Sequence, residues 1–429
     1  MSPRTFDCII VGGGPAGSLT AYTLARKGID VAVLDGKDPS MAKVCGGGLQ
    51  VKAARILPFE IKEVVEREVH GMVFQRRLRN RFTRRYKAPI SYMLNRARFD
   101  NLLLEHARDS GASVFTGEKV LSLEPAADGA HNTRVLTEGD VFEARMVVGA
   151  DGAHSVVRRA INPGGIGWVQ LGLICELKKN RGNSHIPEDL FIIDWGSIPG
   201  GYAWIFPKEA TLTVGAMVPW ELAGALKPYL LAFLKKEGLQ VSGDEHFLTH
   251  PIPTRRLGEP IAADWGLLVG DAAGLADPFT GEGLYYALRS GQIAAHHIAR
   301  YLVGGEGGPA YYEGEIDTGL MQEIIVAGKM RCFFNTASRY IHNLYRRDDR
   351  LWHAFCEVLR GDRTLEGLRR VRTKPPRPVL RSLERFTSWY EARQIRRFKD
   401  SRKFKSMVSE EKASSGLTKS LRQRPRENS

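Results

Sequence analysis

The sequence predicts an α/β protein with a Rossmann-like nucleotide-binding domain, an inserted and mainly antiparallel β domain, and a helical C-terminal segment. The first observation is a strand, a glycine-rich turn, a helix and a second strand within the first 35 residues. The second is a series of short strands broken by Gly, Pro and charged turns, around 68–93 and 168–252. The third is a helical pattern from about Gly308 onward. At 429 residues the chain exceeds the roughly 250–300 at which one core stops growing, which favours several domains.

The N-terminal unit, FDCIIVGGGPAGSLTAYTLARKGIDVAVLDG, has Gly12, Gly14 and Gly17 in GxGxxG spacing between its first strand and its helix. These glycines allow a tight turn, close approach of the backbone to a pyrophosphate, and close packing of helix on strand. The helix is predicted over about 15–27, and its first N–H groups would face the phosphates. Asp35 ends the second strand 18 residues after the last glycine. There its carboxylate can accept hydrogen bonds from a ribose diol, so the unit predicts dinucleotide binding.

Two further glycine turns follow apolar strands and contain an aspartate. They are GADGAHS at 149–155 and GDAAGLADPFTGEG at 270–283. Asp271 is suited to bind a ribitol or ribose hydroxyl, and a helix predicted from near Gly283 to about Tyr301 would offer its N-terminus to a phosphate or to the pyrimidine edge of a flavin. Taken alone, each aspartate is equally well explained as a helix N-cap.

The stretch PGGYAWIFPK, at 199–208, has large rings at every second position: Tyr202, Trp204 and Phe206. Alternate side chains of a strand share one face, so the three rings are expected to form a continuous aromatic wall. Core packing is the general explanation for such a strand.

The motifs divide the chain into four predicted parts. The nucleotide-binding domain is discontinuous, the substrate domain is inserted into it, a basic helical region follows, and the chain ends in a disordered tail. The nucleotide-binding domain is predicted over 1–65, 94–165 and 253–307, and the substrate domain over 66–93 and 166–252. The basic helical region is predicted over 308–405, and the disordered tail over 406–429.

In their order along the chain, the three glycine motifs resemble the FAD-binding signature of flavoprotein hydroxylases and related reductases, and FAD is therefore the predicted cofactor. Two more stretches, KVCGGG at 43–48 and the PxxYxWxFP pattern at 199–208, look like the geranylgeranyl reductase family. DPFTGEGLYYALRSG, at 277–291, is similar to the same family. The resemblance covers about 5–305. It implies a flavin domain of the hydroxylase type and saturation of isolated double bonds in a prenyl chain.

The resemblance also implies roles for individual residues. Cys45, Tyr202 and Trp204 are the predicted catalytic residues, and Tyr202, Trp204 and Phe206 are the predicted contacts of the prenyl chain. Arg96 is expected to face the cofactor, and the backbone of Val120 to meet the adenine. The predicted cofactor-binding residues are Gly12, Gly14, Ala16, Gly17, Asp35, Cys45, Gly46, Gly47, Arg96, Val120, Asp271, Gly283 and Leu284.

The chemistry restricts the catalytic roles. An isolated alkene has no carbonyl to accept negative charge, so a proton must accompany or precede the hydride from reduced flavin N5, and carbocation character develops at the more substituted carbon. The rings of Tyr202 and Trp204 are suited to stabilise that carbon by cation–π attraction. Cys45, Tyr202 and a bound water are all candidate proton donors.

Two other functions fit the same fold. One is an aromatic-ring or alkene monooxygenase, which would consume oxygen and add one oxygen atom to its product. The other is a flavoprotein that passes electrons to quinone without alkene chemistry. A second Rossmann fingerprint for NAD(P) is absent from the sequence, so NADPH is expected as reductant through the resemblance only, with ferredoxin and quinol as other external donors.

Composition and charge suggest where the protein acts. Five scattered cysteines without a CxxC pair argue against disulfides and zinc and for a reducing compartment, so a cytoplasmic protein is predicted.

Residues 331–429 contain 26 Lys and Arg against 11 Asp and Glu, or +15, while the whole chain is +14. Aromatic residues alternate with arginines in the first part of this segment, which predicts peripheral docking on an anionic inner membrane surface. A helical cap with a solvated basic face explains the pattern equally well. No nucleic-acid-binding motif accompanies the charge.

Overall fold

The computed structural model describes residues 3–36, 44–125, 132–241, 245–364, 367 and 377–414. The strands within these ranges are β1 (Arg4–Val11), β2 (Val31–Asp35), β3 (Gly48–Gln50), β4 (Val65–Val69), β5 (Gly71–Arg76), β6 (Arg79–Arg85), β7 (Ser91–Leu94), β8 (Ser113–Thr116), β9 (Val120–Glu124), β10 (Thr133–Thr137), β11 (Val141–Gly149), β12 (Trp168–Lys178), β13 (Leu190–Trp195), β14 (Tyr202–Pro207), β15 (Thr211–Pro219), β16 (Leu248–Thr254), β17 (Ala262–Ala263) and β18 (Gly266–Leu268). The helices are α1 (Pro15–Ala25), α2 (Val51–Arg55), α3 (Arg96–Asp109), α4 (Val156–Ile161), α5 (Leu226–Lys236), α6 (Leu284–Gly304), α7 (Pro309–Thr318), α8 (Leu320–Thr336), α9 (Ser338–Arg347), α10 (Asp349–Arg360), α11 (Arg377–Asp400) and α12 (Arg402–Ser414).

The first sheet is the predicted Rossmann-like sheet. Its strand order is β17-β18-β11-β1-β2-β8, and β10 and β9 extend it from β11. The pairs β11/β1, β1/β2, β2/β8 and β11/β18 are parallel. Ile9, Ile10 and Val33 are fully buried, because both faces of a parallel sheet are covered and its strands are apolar throughout. Helices α1 and α6 begin close to the positions that the sequence predicts, at Pro15 and Leu284.

The second sheet has seven strands in the order β16-β12-β15-β14-β13-β5-β6. Only the β13/β5 pair in this sheet is parallel. One face packs on α5, where Ile192 and Ile205 share a core with Tyr229 and Phe233. The alternate residues of the same strands point to the opposite face, toward the first sheet and the C-terminal helices. A small third sheet has the order β3-β7-β4. The predicted fold class is confirmed.

The C-terminal helices cover part of the second sheet. Phe74 of β5 lies with its ring centroid 5.8 Å from that of Trp352 in α10 and 6.0 Å from that of Tyr345 in α9. The aromatic residues for which membrane docking and a helical cap were equal explanations occupy three helices, and several of them face the protein. Trp352 is 1% exposed, whereas Tyr340 is 67% exposed. No helix in the described ranges is long and apolar enough to cross a membrane.

The predicted disordered tail begins too early. Residues 406–414 belong to α12, and 415–429 lie outside the described residues. The helix is retained because Phe404 and Met407 pack against the core that α5 shares with the second sheet, and because Phe404 contacts Phe398 of α11. The polar composition of the surrounding sequence led to the prediction of disorder despite these apolar positions. Helix α11 begins at Arg377.

Candidate active site

A cavity of about 760 Å³ is lined by residues of both larger sheets and of the C-terminal helices. At one end is the glycine turn after β1. Gly12 has a φ of +106°, and a Cβ atom there would lie 2.5 Å from the carbonyl oxygen of Ala150. Gly14 caps α1 without a side chain, so the first N–H groups of the helix open toward the cavity. At this end of the cavity an anion could approach the backbone closely and would meet the partial positive charge of the α1 N-terminus.

Asp35 lies at the same end of the cavity. A Cβ atom on Gly13 would be 2.7 Å from Asp35 Oδ2, so the carboxylate lies directly against the glycine turn. Val120, at the start of β9, is buried and lines the neighbouring wall. Turn, carboxylate and apolar wall are therefore in the relative positions that a dinucleotide requires.

The two later aspartates differ in their surroundings. Asp151 Oδ2 accepts a hydrogen bond at 2.6 Å from the N–H of Val156, the first residue of α4, whose N-cap is Ser155. Asp271 Oδ2 lies 3.5 Å from Nε2 of His250. The other oxygen of Asp271 would lie 3.3 Å from a Cβ atom on Gly283, which caps α6. Asp151 is therefore bonded to the first turn of α4 without being its N-cap, whereas Asp271 faces the N-terminus of the long helix α6.

The segment from Val44 to Gly47, called the cysteine loop below, precedes β3. Residues 37–43 lie outside the described ranges, and Lys43 of the predicted motif is among them. The N–H of Gly47 donates to Cys45 Sγ at 3.4 Å. The side chain of Cys45 contacts Arg96, a 5% exposed residue whose guanidinium pairs with Asp100 at 2.8 and 2.9 Å. Burial would lower the pKa of Arg96, but Asp100 and Cys45 raise it above its ordinary value. A fixed positive charge therefore lies beside the thiol.

The aromatic wall forms as the alternation predicts. Ring centroids are 5.4 Å apart for Tyr202 and Trp204 and 5.8 Å apart for Trp204 and Phe206. A Cβ atom on Gly46 would lie 3.0 Å from Phe206 and 3.5 Å from Nε1 of Trp204. The cysteine loop therefore lies against the wall. Trp204 is 6% exposed, and among the described residues its Nε1 has no hydrogen-bond partner. A Cβ atom on Gly215 would lie 2.3 Å from its ring.

Known proteins resemble this chain in sequence and in fold. A family model described as an FAD binding domain matches residues 5–170. A digeranylgeranylglycerophospholipid reductase of Thermoplasma volcanium is 30% identical over 309 residues, which are 68% of this chain and 77% of the relative. A chloroplastic geranylgeranyl diphosphate reductase of Nicotiana tabacum is 29% identical over 324 residues, 69% of this chain and 66% of the relative. The crystal structure of a geranylgeranyl bacteriochlorophyll reductase-like protein from Thermoplasma acidophilum superposes with a TM-score of 0.68 at 25% identity, covering 77% of this chain and 88% of that one.

The chain belongs to the geranylgeranyl reductase family. It is an FAD-dependent oxidoreductase of that type. The reductase has the cavity features that a bound FAD requires: a turn in which a Cβ atom on Gly12 would strike backbone, an open helix N-terminus, and a carboxylate at the end of β2.

The cavity of the reductase brings together nearly all residues that the sequence analysis selected. Gly17 is the exception, because it lies behind the turn, where a Cβ atom would be 2.0 Å from the carbonyl oxygen of Gly12. The selected residues that line the cavity are Gly12, Gly14, Ala16, Asp35, Cys45, Gly46, Gly47, Arg96, Val120, Tyr202, Trp204, Phe206, Asp271, Gly283 and Leu284.

Two groups stand out among the lining residues that were not predicted from the sequence. The first lies on the same face of the second sheet as the aromatic wall: Met72, Phe74, Phe191, Ile193 and Trp195. Period-two alternation in GMVFQR and LFIIDW is the signal that identifies them. The second group comes from α8, α9 and α10: Arg331, Phe334, Asn335, Ser338, Phe355 and Leu359. Nothing local in the sequence indicates which surface these helices cover.

Proposed function

We propose that the protein saturates C=C bonds of a geranylgeranyl or longer polyprenyl chain carried on a lipid, a diphosphate or a quinone. The observation that supports this proposal best is the contact between the cysteine loop and the aromatic wall inside the cavity that begins at the glycine turn. Gly46 lies against Phe206 and Trp204 there, so an apolar chain on the wall would pass the loop at van der Waals distance. The names of the two relatives, both reductases of geranylgeranyl compounds, support the same substrate class.

The proposed cofactor contacts follow the length of the cavity. Gly12, Gly14 and Ala16 would hold the pyrophosphate, with Gly17 packed behind them, and Asp35 would bind the adenosine ribose. In reduced form the bound FAD would supply a hydride to the alkene.

The remaining proposed contacts lie farther along the cavity. Val120 would contact the adenine through its backbone. Asp271, with Gly283 and Leu284 at the start of α6, would bind the ribitol and the pyrimidine edge of the flavin. Cys45, Gly46, Gly47 and Arg96 would enclose the flavin ring.

Cys45 is the proton donor that we favour among the three candidates. The thiol lies beside the guanidinium of Arg96, which would stabilise the thiolate left behind by proton transfer. Tyr202 is less suitable, because its hydroxyl already donates to the carbonyl oxygen of Thr280 at 2.5 Å. Burial also raises the pKa of Tyr202, and Asp277 and Glu282 act in the same direction. Tyr202 would therefore shape the wall together with Trp204.

The aromatic wall would stabilise positive charge on the substrate. Trp204 and Tyr202 present ring faces within an apolar cavity, where a cation–π contact is worth about 0.5–2 kcal/mol. The same rings exclude water from the carbon that becomes cationic. Phe206 extends the wall to the cysteine loop and would contact the chain without a charge role.

Electrons would come from NADPH or another external donor that reduces the flavin in a separate step. Stopped-flow reduction of the FAD-loaded protein by NADPH, reduced ferredoxin and a quinol under nitrogen identifies the donor by rate. A donor that bleaches the flavin at least as fast as the protein turns over is competent.

Peripheral contact with an anionic membrane would deliver the substrate. On α11, Phe386 and Trp389 are 51% and 50% exposed, and Arg393 lies 5.0 Å from the ring of Trp389. Rings flanked by basic residues suit the headgroup region of a bilayer. Flotation with phosphatidylglycerol vesicles should carry the protein upward, and Phe386→Ser with Trp389→Ser should reduce that fraction. Equal flotation of wild type and variant would argue against this surface.

The proposed reaction is tested by products. The chemically reduced, FAD-loaded protein is incubated under nitrogen with geranylgeranyl diphosphate and with digeranylgeranylglycerophospholipid, and the products are weighed by mass spectrometry. We expect products heavier by two hydrogens for each saturated bond. A product heavier by one oxygen that forms only after air is admitted would indicate a monooxygenase instead. Turnover of quinone without any saturated product would indicate an electron-transfer flavoprotein.

A further inference from the structure

The face of the second sheet that lines the cavity continues to an arginine. Met72 and Phe74 of β5 line the cavity, and Arg76 is the next residue on the same face. Nε of Arg76 donates to the hydroxyl oxygen of Ser338 at 3.1 Å, and Ser338 lines the cavity. Gly196 lines it too, and a Cβ atom there would lie 3.6 Å from Arg76 Cγ and 3.5 Å from Ser338 Oγ. Arg76 therefore lies at the edge of the cavity.

The positive charge at this edge is not neutralised. No carboxylate among the described residues lies within ion-pair distance of Arg76, Arg77 or Arg339. Burial lowers the pKa of Arg76, and the nearby charges of Arg77 and Arg339 lower it further. Asp194 partly opposes them. Arg76 is partly buried and Arg77 and Arg339 are exposed, so three like charges meet at the rim of the cavity, which favours an anionic ligand.

Asp194 is already engaged by other groups. It is fully buried and accepts hydrogen bonds from the N–H of Leu78 at 2.6 Å and from the hydroxyls of Ser197 and Tyr229 at 2.6 and 2.7 Å. Burial raises the pKa of Asp194, and the hydrogen bonds from Ser197, Leu78 and Tyr229 oppose that shift. The aspartate therefore stabilises the loop beneath the arginines and leaves their charge available to a ligand.

The strand register shows how far Arg76 lies from the cysteine loop, along the strand and across the sheet. Trp195 pairs with Arg76 on one side and with Tyr202 on the other. The cysteine loop contacts β14 at its other end, at Trp204 and Phe206. From Tyr202 to Phe206 the strand advances about 13 Å at 3.3 Å per residue, and two strand spacings across the sheet add about 10 Å. Arg76 and the cysteine loop thus lie at opposite ends of one apolar surface.

We propose that Arg76, Arg339 and the hydroxyl of Ser338 bind the phosphate or diphosphate head group of the prenyl substrate, while its tail lies along the aromatic wall toward Cys45. This inference rests on the proposed function and adds the anionic head group to it. Guanidinium groups bind phosphate oxygens through paired N–H donors. The Ser338 hydroxyl accepts from Arg76 and retains its own hydrogen for a phosphate oxygen.

The test compares substrates with and without phosphate. Arg76→Gln should raise KM for geranylgeranyl diphosphate roughly 10- to 100-fold, as expected for losing a hydrogen bond between charged groups, with kcat within about 2-fold. KM for geranylgeraniol, which has no phosphate, should not change. Arg76→Lys should recover part of the loss. The matched control is Arg79→Gln, which removes the same charge from an exposed position of the same hairpin. It should leave both KM values unchanged.

Two outcomes would overturn the inference, and a third would refine it. Equal KM increases for the diphosphate and the alcohol would assign Arg76 a structural role. An unchanged KM for the diphosphate, with weaker flotation on phosphatidylglycerol vesicles, would assign the cluster to a membrane surface. An effect on geranylgeranyl diphosphate but not on the phosphodiester of digeranylgeranylglycerophospholipid would identify the diphosphate as the natural head group and would support the site.

A second measurement separates this inference from the proposed function. If the wild-type protein saturates neither substrate, the proposed function fails, and the head-group site is judged by equilibrium dialysis of labelled inorganic pyrophosphate against the FAD-loaded protein. Binding that Arg76→Gln weakens at least 10-fold, and that Arg79→Gln does not, supports the site. Equal binding by the wild type and both variants, or no binding at all, overturns it.

Discussion

Replacing Trp204 by leucine tests the proposed role of the aromatic wall. Trp204 is 6% exposed and lines the cavity between Tyr202 and Phe206, so leucine keeps the site apolar but removes the central ring. Nε1 of Trp204 has no hydrogen-bond partner in the described part of the chain, so the substitution breaks no hydrogen bond of the protein there. The change therefore removes packing volume and the π-face.

The two losses have different sizes. Loss of a cation–π contact of about 0.5–2 kcal/mol slows the chemical step about 2- to 30-fold, since about 1.4 kcal/mol corresponds to tenfold. Loss of packing lowers the free energy of unfolding by less than the roughly 3–5 kcal/mol that removal of a whole tryptophan side chain costs. We expect Trp204→Phe, which retains a ring, to keep most of the rate.

The assay is single turnover of the reduced, FAD-loaded protein with geranylgeranyl diphosphate under nitrogen, with FAD content and unfolding temperature measured in parallel. Trp352→Leu is the matched control. Trp352 is 1% exposed, lies outside the cavity lining, and donates from Nε1 to the carbonyl oxygen of Arg85 at 2.8 Å. It should lose at least as much stability and keep its rate. An unchanged rate in Trp204→Leu, or an equal loss in both variants, would refute a charge-stabilising role for the wall.

Three further predictions concern single residues. Gly215→Ala would place a Cβ atom 2.3 Å from Trp204 and 2.7 Å from the carbonyl oxygen of Leu173; we expect about 1–3 kcal/mol of destabilisation and altered tryptophan fluorescence, and native values would contradict the packing described. Cys45→Ala should slow alkene saturation about 10²- to 10⁴-fold while the flavin is still reduced normally, and an undiminished product yield would remove the thiol from the mechanism. Burial lowers the pKa of His342 below its ordinary value of 6.5. The stability that His342 contributes is therefore present above pH 6.5 and lost as pH falls through its folded pKa. Below about pH 6.5 the unfolding temperature should fall more steeply in wild type than in His342→Gln, and parallel curves would argue against this prediction.

Sequence reasoning succeeded where function depends on local geometry. The turn at Gly12, the carboxylate of Asp35 and the rings from Tyr202 to Phe206 are each encoded within one strand and its adjoining turn. Strand alternation alone places the three rings on one face. Residues distant in sequence, such as Cys45 and Arg96, were placed in one site only through the family resemblance.

Sequence reasoning was limited where function depends on which surfaces meet. An amphipathic helix pattern shows that one face is buried, but it does not identify the surface against which that face packs. For this reason membrane docking and a helical cap explained the C-terminal pattern equally well, and the packing of Trp352 on Phe74 of the second sheet could not be predicted. The arginines of β5 and β6 read as charged turn residues, and only the strand register brings Arg76 to the edge of the cavity. The polar composition around Phe404 concealed its contact with α11.

The most direct test of the central claim is the stoichiometry of a single turnover. The FAD-loaded protein is reduced, freed of excess reductant, and mixed under nitrogen with geranylgeranyl diphosphate or digeranylgeranylglycerophospholipid while flavin absorbance and product mass are followed together. The account predicts that one equivalent of flavin is reoxidised for each double bond saturated, without oxygen. A flavin that stays reduced until air is admitted, with the prenyl chain left unsaturated, would contradict it.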